Sequence, residues 1–375
     1  MIDIGKILKR AWHILWDYKV LWLFGILMAL TSGGAGNGGS NYQFGGRRDG
    51  GQPFPPEMAQ NPRLRELFQW FNQNVLPILR NPGEHMGAIL GIGVGIIVLI
   101  LLVGAVFSIV RYVSETAVVR MTDHYEQTGE KVGFKAGWKL GWDRRAFRLW
   151  LIDLIISLPA ILLISLVFGL SVLYFVSIIR GNDVAAAGGV IAGIGCLFLF
   201  IFAFIVAMVF LRLLREFFGR KAILENATLS QSFQEGWAMF KRNWKSVALM
   251  WLAMLGIGIG FGIASIILFF VLIPVYLLLL IPALLVAAIP GLIAFGLASL
   301  FGNSTLAAII GVLAGMPFFL TILFAPLTLL SGWYLLFDSM VWTLTYREIK
   351  AIEGLTAVAD VSLPPSEAET PPATA

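Results

Sequence analysis

Two acidic residues, Asp153 and Asp338, stand inside otherwise apolar stretches of this chain. A carboxylate is expensive in lipid, so each asks for a reason. Asp153 follows Arg145 by eight residues and Asp338 precedes Tyr346 by eight. At about 1.5 Å per helical residue, both sit roughly 12 Å inside the same edge. Held in one layer, such a pair could handle a proton or a cation, or line a polar substrate pocket. Held apart, each would accept hydrogen bonds from Ser, Thr, Trp or a snorkelling Arg. The second reading is the plainer one, because no second polar layer accompanies them and neither lies at the midplane, where transporter sites sit. Arg111 and Glu115 are four apart, as are Arg212 and Glu216, and are expected to satisfy each other on a helix. His124, between Asp123 and Glu126, reads as a solvated loop residue.

The chain has no Gly-x-x-x-x-Gly-Lys-Ser/Thr phosphate loop, no His-Glu-x-x-His and no Gly-x-Ser-x-Gly. One cysteine, Cys196, excludes an intrachain disulfide, and His13, His85 and His124 are too scattered to suggest a metal site. No catalytic, cofactor-binding or metal-ligating residue is therefore assigned.

The elements that carry the two aspartates follow from composition. Of 375 residues, 58% are hydrophobic and 13% charged, with a mean hydropathy of +0.84. A soluble domain averages about 45–50% and about 25%, so a single soluble core is excluded. The net charge of +5 does not point to nucleic acid, because the Lys and Arg cluster beside apolar runs, as they do where membrane orientation is encoded. Runs long enough to cross occupy 86–113, 150–179 and 184–211. From Lys245 to Arg347 no Lys or Arg occurs between the ends and Asp338 is the only acid. Breaks at Gly302-Asn303-Ser304, Pro274 and Pro326 divide that stretch into crossings near 247–272, 275–300, 305–325 and 327–345. The prolines at 274, 282 and 290 could instead mark a re-entrant segment. The reading is an all-α polytopic transmembrane helical bundle with eight crossings, six as the fallback.

The first apolar run, 20–30, has the length of a signal-peptide core. The residues before it argue for retention. Ile4, Ile7, Leu8, Ala11, Trp12 and Leu15 share one helical face, opposite Lys6, Lys9 and Arg10. That pattern predicts an amphipathic helix at the membrane interface, leading into a short crossing. Of the 27 Lys and Arg, 21 fall on one side of this scheme. The positive-inside rule then puts both termini in the cytoplasm of a multi-pass cell-membrane protein. Residues 32–84 become external, with a Gly/Pro-rich loop and an amphipathic helix over 62–79; the tail from Leu355 is expected to be disordered. Glycine runs at 87/91/95, 189/193, 256/258/260/262 and 311/315 read as close-packing faces.

Glu126, Phe134, Gly137 and Trp138 recur as Glu225, Phe233, Gly236 and Trp237, all at an offset of 99, and Leu8 with Ala11-Trp12 is a reduced copy. Each copy heads a basic amphipathic segment that runs into a crossing. Trp12, Trp138, Trp237, Lys241 and Arg242 are the expected interfacial anchors. Ser232 and Glu235 have capping-box spacing. The chain thus reads as three hairpin-like units, 1–113, 114–211 and 212–354, before the tail 355–375.

The segment 218–251, with Phe218-Gly219-Arg220-Lys221, Glu225, Gly236-Trp237 and Asn243-Trp244-Lys245, resembles the central signature of a prokaryotic polytopic membrane superfamily. Its members include the membrane domain attached to some glycerophosphoryl diester phosphodiesterases. Leu344–Glu348 through Glu353-Gly354 resembles the close of the same group. The resemblance implies a membrane module and no agreed activity; the phosphodiesterase barrel's His-Arg-Gly opening is absent. Three function classes follow. The favoured one is a non-enzymatic module that organises lipid, with anionic headgroups on the cytoplasmic side, or a protein partner or oligomer. A transporter or channel using Asp153 and Asp338 comes second, and a membrane-embedded lipid enzyme third. No cofactor is implied.

Overall fold

The computed structural model describes residues 2–32, 86–179, 183–299 and 304–362. These residues form eleven helices and no strand: α1 Ile4–Asp17, α2 Leu21–Thr31, α3 Met86–Thr128, α4 Phe134–Gly141, α5 Arg144–Ile179, α6 Asp183–Leu224, α7 Leu229–Arg242, α8 Trp244–Val271, α9 Ile273–Ser299, α10 Ser304–Leu323 and α11 Ala325–Ser362. Among the described residues, five helices are long and apolar enough to cross a membrane, or six if the bent pair α1–α2 is one span. Helices α6 and α10 overlap the expected crossings at 184–211 and 305–325 but are not among those five, and α10 contributes only a shorter apolar stretch, Ile310–Leu323. The external loop and the helix expected over 62–79 lie outside the described residues.

This is a helical membrane protein, and its surface says why. Leu278, Ile281, Leu285 and Leu292 on α9 are each about two-thirds exposed or more. An apolar surface of that extent suits hydrocarbon and not water. Pro274 and Pro326 start helices, α9 and α11, where a missing N–H costs nothing. Pro282 and Pro290 do not divide α9. A re-entrant break there was one alternative, and the helix runs through both.

Two compact bodies divide the chain. The first comprises Met1–Phe24, Tyr112–Ile257 and Leu335–Ala375. Within it, Ile7, Ala11, Ile14 and Leu15 of α1 are buried along one face. The Tyr18 hydroxyl donates to the Val132 carbonyl at 2.6 Å and accepts from the Val132 N–H at 2.5 Å, which ties the end of α1 to the loop after α3. The chain turns by 100° between α1 and α2.

In the second body, Gly25–Arg111 and Gly258–Tyr334, glycine lets backbones touch. A Cβ at Gly311 would meet the Gly291 carbonyl at 2.8 Å, and one at Gly315 the Ala287 carbonyl at 2.7 Å, so α9 and α10 pack along a small-residue seam. The 256–262 run, whose Gly256 belongs to the first body, departs from expectation. Gly256, Gly260 and Gly262 have nothing within 4 Å of a Cβ, and only Gly258 meets a neighbour, the Tyr334 hydroxyl.

Three local expectations are corrected. The capping box of α7 is Thr228 with Gln231, one turn before Ser232 and Glu235; Ser232 is buried and spends its hydroxyl on the Thr228 carbonyl. Helix α3 continues to Thr128, so His124 is helical and half-buried. Helix α11 runs to Ser362, past the Leu355 at which disorder was expected; 363–375 lie outside the described residues.

A buried ion network as the candidate functional site

Charge collects in the first body, on the inner faces of α3, α5, α6 and α11. Helix α6 carries Arg212, Arg215, Glu216 and Arg220 within two and a half turns. Arg215 is half-buried there and Glu216 and Arg220 are buried, so their charges must find partners. Arg215 is the hub. Its Nη1 and Nη2 donate to Glu115 Oε1 and Oε2 at 2.8 and 2.9 Å. Its Nε and Nη2 donate to Asp153 Oδ1 and Oδ2 at 2.6 and 3.1 Å. Two forks on one guanidinium use its planar donor geometry fully. The Tyr112 hydroxyl donates to Asp153 Oδ2 at 2.7 Å. Arg220, 1% exposed, pairs with Glu216 and donates to the Ser339 carbonyl at 3.4 Å.

Asp338 belongs to the same layer. Glu216, Arg220, Arg212 and Arg215 act on its carboxyl electrostatically, yet among the described residues no hydrogen bond reaches it. Ser114, Thr116, Thr122, Ser339, Thr343 and Thr345 are buried nearby in sequence on α3 and α11.

The expected i, i+4 pairs are replaced. Glu115 is held by Arg215, and Glu216 by Arg220 with Arg215 at 3.4 Å. Reading along one helix missed Arg215 because its partners lie 100 and 62 positions away. The available signal was its lack of an acid four residues away within an otherwise buried stretch.

A second cluster closes the same body beyond the network. Lys221 meets Glu225 and Glu235 at 2.5 Å each, Lys350 meets Glu225 at 3.0 Å, and the Tyr346 hydroxyl donates to Glu225 at 2.5 Å. Arg242 grips Glu353 through two bonds of 2.9 Å, and Asn243 donates to Glu353 at 2.7 Å. Burial pushes the Glu225 carboxyl up, but hydrogen bonds from Lys221, Tyr346 and Lys350 outweigh it and hold its pKa below the usual carboxylate value. Burial likewise lowers Lys221, and its two carboxylate partners reverse the sign, so it stays more basic than an ordinary lysine. Arg347 pairs with Asp123, and Arg10 with Glu126 at 2.7 Å.

The anchors divide. Trp12 and Trp237 are 53% and 44% exposed, as are Trp142 at 60% and Trp244 at 55%, which the sequence reading did not single out as anchors. Trp138 is half-buried and stacks with Phe24. Lys241 is exposed, whereas Arg242 is committed to Glu353. Gly137 and Gly236, equivalent at the offset of 99, both seat against the preceding long helix: a Cβ would lie 2.4 Å from Met121 Sδ in one and 2.6 Å from Phe218 Cδ1 in the other.

Residues 3–337 match a family of unknown function, DUF7544. The chain belongs to that family. No curated protein and no solved structure matches it. The matched range of this DUF7544 protein contains Glu115, Asp153, Arg215, Glu216 and Arg220, and ends one residue before Asp338.

Proposed function

We propose that this protein is a non-enzymatic membrane module that gathers anionic lipid, or a partner protein, at one leaflet. The observation that carries the proposal is a contrast between two sets of cations. Arg215, Arg220, Lys221 and Arg242 are all paired with carboxylates. Lys6 and Lys9 on α1, Lys135 and Lys139 on α4, and Lys241 on α7 are exposed and have no carboxylate partner among the described residues. Those three short helices are the recurring amphipathic segments, and exposed tryptophans lie on or beside each. Trp at headgroup level with free Lys beside it suits an interfacial helix on anionic lipid. Each such Lys contributes about 1 kcal/mol near that surface. On this reading the three helices are variants of one repeated device, both termini are cytoplasmic, and the likeness to the phosphodiesterase membrane domain is one of membrane architecture.

The test is native mass spectrometry of protein released from nanodiscs of mixed phosphatidylglycerol and phosphatidylcholine. The wild type should retain phosphatidylglycerol in excess, and a variant with all five lysines changed to Gln should lose that excess. Equal retention of both lipids by the wild type overturns the proposal.

A second reading, proton or cation transport, draws on Asp338, whose carboxyl lies within electrostatic reach of three arginines and one glutamate and accepts no hydrogen bond among the described residues. A proton current in liposomes carrying the wild type, lost in Asp338→Asn, would favour it over the first.

A further inference from the structure

Between the ends of α6, α7 and α11, within the first body, lies a cleft of about 370 Å³. Lys221, Glu225, Glu235, Arg242, Lys350 and Glu353 line it, over a floor of Ala238 and Met239. Three cations face three carboxylates, so formal charge alone names no ligand. Hydrogen-bond capacity does.

The carboxylates of Glu225 and Glu353 are largely committed. Glu225 accepts from Tyr346 and Lys350 on one oxygen and from Lys221 on the other. Glu353 accepts two bonds from Arg242 and one from Asn243. The cations are not. A lysine ammonium has three donors and an arginine guanidinium five. Lys350 spends one on Glu225, and Arg242 spends two on Glu353. The side chains of Lys350 and Arg242 are 56% and 62% exposed. The cleft therefore has spare donors held at fixed places by carboxylates that need nothing more. That arrangement favours a ligand made of acceptors, a compact oxyanion with several oxygens. Gly354 at the rim has no neighbour within 4 Å of a Cβ.

We infer that this cleft is a binding site for a phosphate oxyanion, either the phosphodiester of a lipid headgroup or a free phosphate, held by Lys350 and Arg242. The inference extends the lipid reading to a defined site but does not depend on the exposed lysines of α1, α4 and α7. Glu235 sets the affinity. It accepts from Lys221 through one oxygen, and its side chain is 54% exposed, so it competes with the ligand for Lys221 and repels it.

The experiment uses the full chain in neutral detergent. Inorganic phosphate and glycerol 3-phosphate are titrated by calorimetry, and retained phospholipid is identified by native mass spectrometry after transfer from phosphatidylglycerol nanodiscs. The expected result is binding of at least one of the three probes, weakened tenfold or more by Lys350→Gln. Binding of the soluble anions assigns the free-phosphate source; retention of lipid alone assigns the headgroup. Glu235→Gln should tighten binding severalfold, because it removes a competing carboxylate and frees Lys221. If these ion pairs only brace the helices, Glu235→Gln should lower stability without tightening binding, and that result overturns the inference. So does the absence of all three ligands from the wild type. The five-lysine variant described above should keep its phosphate affinity, so failure of the surface reading and failure of the cleft are separately visible.

Discussion

Arg215 holds Glu115 in a fork of two hydrogen bonds, 2.8 and 2.9 Å, across 100 positions of sequence. The same guanidinium holds Asp153 in a second fork. Cutting such a hub strands two carboxylates together. Arg215→Met should destabilise the protein by about 3–5 kcal/mol, the range for removing one partner of a buried pair. Arg215→Lys should recover little of it, since an ammonium cannot fork to two carboxylates. Denaturation in detergent, followed by circular dichroism, measures both. A loss below about 1 kcal/mol for Arg215→Met would show the network to be well hydrated.

Glycines that look alike in sequence should respond oppositely to alanine. A Cβ at Gly141 would sit 2.2 Å from the Val113 carbonyl oxygen and 2.9 Å from the Ala117 Cβ, and backbone cannot step aside. Gly141→Ala should cost about 1–3 kcal/mol. Gly260→Ala has open space around it in the interior of α8, and should be neutral or add about 0.5–1 kcal/mol through helix propensity. Thermal melting of the two variants side by side decides it.

The Glu225 cluster should make stability depend on acid. Its carboxyl is held below the ordinary value of 4.5 by Lys221, Tyr346 and Lys350. A group with a depressed folded pKa contributes stability that is present above the unfolded pKa and lost as pH falls through the folded one. Unfolding midpoints should therefore fall as pH drops below about 4.5. Glu225→Gln should flatten that part of the curve, and an unchanged acid limb in the variant would count against the assignment.

Helix α7 should behave as a surface helix with one seated face. Ser232, Gly236, Met239 and Phe240 are buried, and Trp237 and Lys241 are exposed. Spin labels along 229–242 should alternate between immobile and mobile with helical period. Uniform aqueous mobility would remove the interfacial helix from the proposed function. Thr228→Ala, which deletes the capping box, should cost about 1 kcal/mol.

Much of the fold was legible because its signals are local. The 3.6-residue pattern of Ile7, Leu8, Ala11 and Leu15 marks α1, and the prolines at 274 and 326 mark the starts of α9 and α11. The match of Gly137 with Gly236 in sequence has a counterpart in packing, since each seats on the helix before it. Asp153 and Asp338 were found by cost alone, because lipid makes any carboxylate conspicuous. Their surroundings were not, nor was the role of Arg215. Sequence spacing ranked Arg212 with Glu216 as a pair, and the structure gives Glu216 to Arg220.

What the amino-acid sequence determined by itself was class: the apolar excess, the helical periods and the helix starts compel a helical membrane protein whatever its packing. Only the tertiary structure decided which charges meet. An i, i+4 neighbour on a helix surface contributes a few tenths of a kcal/mol, whereas a buried fork with correct geometry replaces the hydration that both ions have lost. Burial therefore overrides proximity along the chain: Arg215 makes its close forks with Glu115 and Asp153, and its contact with neighbouring Glu216 is the longer one, at 3.4 Å.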